Sequence, residues 1–149
     1  MNRIDRMNSM KWRRLAGLCG IAMLWLGVSA RAQVVVIANP SVKVSEVSRS
    51  DLRDIFSGAT SSLKGGSPVV PVVLKQGAVH EEMLQLYIGK SDAAFRASWR
   101  SLVFSGQAVM PRSMDNDTSM VEYVARTPGA IGYISKGTPH DGVKILTVR

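Results

Sequence analysis

The chain has 149 residues, of which 46% are apolar, 20% charged and 6% aromatic. That balance excludes a disordered, collagen-like or coiled-coil chain and leaves room for one domain, hardly two. The formal charge is +8, and the single cysteine, Cys19, excludes a disulfide framework and a multi-cysteine zinc site.

Much of the charge lies at the start. Arg3, Arg6, Lys11, Arg13 and Arg14 precede an apolar run from Leu15 to Val28, and Ala30-Arg31-Ala32 follows. This order is that of a secretory signal peptide with cleavage before Gln33. The run has 14 residues, whereas a spanning helix needs about 20. No membrane insertion is therefore expected after cleavage. Cys19 lies inside the run rather than behind it, which argues against lipidation. Residues 1–32 hold six basic residues and one acidic residue, leaving 13 and 10 in residues 33–149, net +3. The remaining cations are scattered, so no nucleic-acid partner is expected. The reading is a periplasmic chain with a signal peptide over 1–32 and one domain over 33–149.

Residues 33–38 (QVVVIA) form an apolar, β-branched run that predicts a strand buried on both faces. Asn39-Pro40 ends it. Ser48 and Asp51 have capping-box spacing, and Val47 and Leu52 fit a hydrophobic staple. Leu52, Ile55 and Phe56 then fall on one face of a short helix that stops at Gly58. Ser61 to Pro68 is a polar loop. Val69 to Leu74 (VVPVVL) predicts a second strand, with Pro71 arguing for an edge or a bulge.

Gly77 opens a helix through Met83, Leu84, Tyr87 and Ile88 that closes at Gly89. Ser91 caps the next helix, whose apolar face is Phe95, Trp99, Leu102 and Val103. Ser105 to Met114 reads as a loop. Asp117 or Ser119 caps a further helix through Met120, Val121 and Val124, and Ser119 and Glu122 repeat the capping-box spacing. Ala130 to Ile134 and Val143 to Val148 predict two more strands. The expected core includes Ile55, Phe56, Phe95, Trp99, Val103, Ile131 and Tyr133. Strands alternating with helices give an α/β fold, a mixed sheet flanked by helices.

Catalytic constellations are missing. There is no HExxH, CxxC, GxSxG, Walker A or GxGxxG pattern, and only two histidines, His80 and His140. Nothing brings either beside a particular serine, so both read as surface residues and no enzyme is expected. Asp115, Asn116 and Asp117 are too few for an EF-hand series and read as helix capping. No metal or cofactor is implied.

One stretch has a binding chemistry. Lys75-Gln76-Gly77-Ala78-Val79-His80 joins a strand to a helix. Backbone N–H groups at a helix start are unpaired and attract anions. Gly77 allows close approach and Lys75 adds a charge. Glu81 and Glu82 complement the same dipole and support a purely structural role.

Several segments together resemble the phosphate-binding periplasmic proteins that feed ABC transporters. They are Val34-Val35-Val36-Ile37, Leu52-Arg53-Asp54-Ile55-Phe56-Ser57-Gly58, Val70-Pro71-Val72-Val73-Leu74, Ser98-Trp99-Arg100 with Val103-Phe104-Ser105-Gly106, and Pro128-Gly129-Ala130-Ile131-Gly132-Tyr133-Ile134. The resemblance implies a type 2 periplasmic-binding fold in a short, single-lobe version. It implies a phosphate or related oxyanion ligand and an inner-membrane transporter or sensor as partner. The family's second-lobe loop reads Arg-x-Asp-Gly-Ser-Gly-Thr. Here the corresponding stretch is Leu74 to His80, in which Gly77 matches one glycine and Lys75 supplies a nearby cation. The aspartate and the hydroxyl donors are absent, so weak oxyanion binding is the expectation. The alternative is a periplasmic interaction or regulatory module that keeps the fold and has lost the ligand site.

Overall fold

A computed structural model describes residues 33–149. The expected signal peptide, with Cys19, lies outside the described residues. Five strands and four helices longer than two residues follow one another, and one further strand has only two residues. β1 is Val34–Ala38, β2 Glu46–Val47, α1 Arg49–Phe56 and β3 Val70–Leu74. α2 is Ala78–Met83, continued by a π-helical turn over Leu84–Ile88. α3 is Asp92–Phe104, β4 Arg112–Met114, α4 Asp117–Arg126, β5 Ala130–Ser135 and β6 Lys144–Val148.

The six strands form one mixed sheet in the order β2-β6-β1-β5-β3-β4. β1 runs antiparallel to β5 and β6, while β3 is parallel to both β5 and β4. This confirms the mixed sheet flanked by helices. Successive residues of β5 show the two layers, because strand side chains alternate between faces. Tyr133 meets Phe56 edge-on, with ring centroids 5.8 Å apart, on the α1–α2 side. Gly132 faces α4, where an added Cβ would stand 2.5 Å from Met120 Sδ and 3.2 Å from Val124. Only glycine lets α4 lie so close to the sheet.

The local helix signals hold at α1. Ser48 accepts from the Asp51 N–H at 3.1 Å and the Asp51 carboxylate reaches back to the Ser48 N–H, so the capping box is complete. Ser91 caps α3 as expected. At α4 the cap is Asn116, not Asp117 or Ser119. Ser119 is the third residue of that helix, and its hydroxyl closes the box on the Asn116 N–H at 3.2 Å. Asp117 is thereby free to turn toward the β5 end.

Other expectations are corrected. Pro71 is not in an edge strand, since β4 lies outside β3. It pairs with Ile131 of β5, and the β4 pairing begins only at Val72. Its missing N–H therefore leaves no gap in the β4 ladder. The tail of the Ser105–Met114 loop is β4. Val103 is 40% exposed and Phe104 97% exposed, because α3 buries Phe95 and Trp99 and, in its last turn, packs Leu102 rather than Val103 or Phe104 against the core. The other expected core residues are buried. No described helix is long and apolar enough to cross a membrane.

Candidate functional site

The stretch from Lys75 to His80 starts where β3 ends against β4. The Lys75 N–H donates to the Met114 carbonyl at 2.9 Å, which fixes the loop on the sheet. Gly77 then turns the chain at φ 109°, a value that side-chain-bearing residues avoid. It caps α2 without a side chain, whereas Ser48, Ser91 and Asn116 cap the other three helices with theirs. The backbone N–H groups of Gln76 to His80 have no acceptor among the described residues. Gln76, Gly77 and Ala78 are exposed, and Val79 is half-buried against the core.

Lys75 does not point a free charge at this loop. Its ammonium lies 2.6 Å from Asp115 Oδ1 just beyond β4. A second cation, which the sequence pattern did not reveal, comes from α3. The Arg96 Nε–H donates to Asp92 Oδ1 and Oδ2 at 2.9 and 2.8 Å, and Nη2 donates to the Lys75 carbonyl. Asp115, Asp92 and Glu81 offset Lys75 and Arg96, so the loop carries no excess of positive charge.

His80 departs furthest from expectation. It is 1% exposed, not a surface residue. Nδ1 stands 2.6 Å from the Tyr133 hydroxyl, and Nε2 stands 2.9 Å from Asp92 Oδ1. Tyr133 in turn accepts the Leu74 N–H at 3.0 Å. Burial pushes the Tyr133 phenol well above its ordinary range, so it remains a proton donor. The hydrogen bond from Arg96, with a smaller one from His80, holds the Asp92 carboxyl below its ordinary value despite partial burial. His80 is thus spent on the interior and offers no group to a ligand in the loop. His140 is half-buried, with Nδ1 at 3.0 Å from the Thr138 carbonyl.

A second feature lies across the molecule. A cavity of about 570 Å³ opens between the end of α1, the start of β3 and the loop before β4, lined among others by Ile55, Val69, Pro71, Trp99, Val109 and Pro111. Phe104 and Val109, 97% and 87% exposed, are the most exposed large apolar side chains among the described residues. No group of three or more His, Cys, Asp or Glu suited to a metal ion occurs among the described residues.

No family model matches the chain. Solved structures do. An ABC-type phosphate transport receptor from Vibrio cholerae aligns with TM-score 0.60 and 19% identity over 77% of this chain and 45% of that one. A Clostridium perfringens protein, assigned as a phosphate ABC transporter substrate-binding protein and solved with bound phosphate, aligns with TM-score 0.59 and 20% identity over 77% and 44%. PstS from Borrelia burgdorferi aligns with TM-score 0.61 and 18% identity over 78% and 47%. The chain spans less than half the length of these proteins. At such identities the likeness shows the fold: the chain carries part of the periplasmic-binding architecture found in phosphate-binding proteins.

Proposed function

We propose that this is an exported solute-binding-like module that takes phosphate or a related oxyanion weakly at residues 75–80, serving ABC transport or a sensor at the inner membrane. The observation that carries the reading is the uncapped start of α2, where N–H groups of exposed residues have no protein acceptor. The Clostridium perfringens neighbour, solved with phosphate bound, supports the choice of oxyanion. The magnitudes decide the affinity. An exposed helix start contributes about 0.3–1 kcal/mol toward a charge, and up to about 2 when partly buried. One charge-assisted hydrogen bond adds about 1.5–3 kcal/mol. Micromolar binding needs about 8 kcal/mol. Calorimetric titration of the monomer is therefore expected to give millimolar or undetectable phosphate binding. It should weaken with salt, because an open site is screened, and on Lys75→Ala, which takes the partner from the Asp115 carboxylate beside the loop. Sub-micromolar binding by a monomer would overturn this placement of the site. The same affinity confined to a dimer would mean that a second copy completes it.

A second reading is favoured by the Lys75–Asp115 pair and by the exposed apolar side chains of Phe104 and Val109. In it the chain keeps the fold without the ligand site and acts as a periplasmic interaction or regulatory module. Silence toward both phosphate and sulfate, matching a neutral control, leaves this reading standing alone.

A further inference from the structure

His80 and Asn39 are the buried polar side chains among the described residues. Asn39 is spent on the ending of α4, where its amide donates to the Val124 and Ala125 carbonyls at 2.8 and 2.9 Å. His80 joins three elements instead: its own α2, Tyr133 of β5 and Asp92 of α3. The hydroxyl of Tyr133 already accepts from the Leu74 N–H, the last residue of β3. Its own proton needs an acceptor, and His80 Nδ1 at 2.6 Å is the one in reach. That assignment leaves the ring neutral, with its single proton on Nε2 and directed to Asp92.

We propose that the Asp92–His80–Tyr133 chain is a proton-operated lock on the 75–80 loop and the start of α2, closed while the His80 ring is neutral. The lock stands whether or not the loop takes an oxyanion. A second ring proton on Nδ1 would set two donors against each other across one 2.6 Å gap. The Tyr133 proton would then have to turn away inside a packed interior, where Phe95 meets the His80 ring edge-on at 6.1 Å and Phe56 meets Tyr133. A buried donor without an acceptor is unfavourable. The titratable and charged groups facing His80 are Tyr133 from β5 and Asp92 and Arg96 from α3, while β1 and β3 consist of uncharged residues only. Opening would release the Leu74 N–H and the first turn of α2, the two ends of the loop.

Long-range proton–nitrogen correlation spectra of the two histidines, with amide hydrogen exchange on the same sample from about pH 8 to about pH 5, test the lock. His140 is the internal reference. At the upper end His80 should show a bare Nδ1 and a protonated Nε2. As the ring takes its second proton, the Leu74 amide and those of 81–84, which bond to the first turn of α2, should lose protection roughly ten- to hundredfold beyond the intrinsic pH effect. Amides in the β1–β5 ladder should hold. His80→Gln, which cannot titrate, should lose the step. A proton on Nδ1 at the upper end overturns the proposal. So does protection that ignores His80 titration, a step that survives in His80→Gln, or a ring that is protonated only on global unfolding. Should His80→Gln fail to fold, the native spectra and exchange data decide alone.

Discussion

Trp99 is 3% exposed, and its indole N–H donates to the Phe56 carbonyl at 2.9 Å, so one side chain both fills the core and binds α3 to the end of α1. Trp99→Ala is expected to destabilise by about 3–5 kcal/mol, the range for aromatic truncation in a core. Urea unfolding measures it, and a loss below about 1 kcal/mol would show that the site is not packed. Asp117 tests a different force. Its carboxylate accepts from the Ser135 N–H at 2.9 Å, from the Ser135 hydroxyl and from Thr138 Oγ1 at 2.7 Å. Burial pushes the carboxyl up, but the hydrogen bonds from Ser135 and Thr138 hold it below its ordinary value of 3.8. A group depressed in the folded state stabilises fully above its unfolded value and loses that contribution as pH falls through the folded one. The stability gap between the native chain and Asp117→Asn should therefore be widest near neutrality and narrow below about pH 4. A gap that stays constant into strong acid would mean that the charge plays no part.

At the scale of elements, most of what depends on neighbours in sequence was legible, the Asn116 cap of α4 and the π-helical turn excepted, and what depends on distant strands was not. The Ser48–Asp51 box was readable because both partners lie within one turn. Ser48→Ala should lower stability by about 1 kcal/mol, read from the urea midpoint at unchanged slope, as lost N-caps do. The flat apolar runs of β1, β3 and β5 were readable as strands, although Pro71 pointed β3 toward an edge or a bulge and not the interior place it holds. β2 and β4 were not: Glu46–Val47 and Arg112–Met114 carry no period, and pairing with β6 and β3 alone makes them strands. The same division runs through the candidate site. Gly77 as an uncapped helix start was legible. Lys75–Asp115 and His80–Tyr133 were not, since they join residues 40 and 53 positions apart. A histidine on the first turn of an amphipathic helix looks solvated until β5 is known to pass beneath it. The π-helical turn was equally hidden. It widens the ring so that the Gly89 N–H reaches the Leu84 carbonyl at 2.7 Å, which a 3.6-residue period does not announce.

For the whole molecule, the start of β1 bears on where the chain is cleaved. Gln33 is exposed, and its carbonyl accepts the Lys136 N–H at 2.9 Å, while the β1–β5 register starts at Val34. Cleavage between Ala32 and Gln33 would therefore leave every β1 contact in place, and cleavage even two residues later would strip Val34, and with it the first pair of the sheet's central ladder. The basic start, the 14-residue apolar run and Ala30-Arg31-Ala32 point to the same bond. Removing residues 1–32 would also lower the net charge from +8 to +3, and with it the general attraction to anionic membranes and nucleic acid that a strongly basic chain carries. Intact-mass measurement of the periplasmic fraction is expected to give a chain beginning at Gln33. A full-length product retained in the membrane would overturn the export reading, and with it both functions proposed for the periplasm.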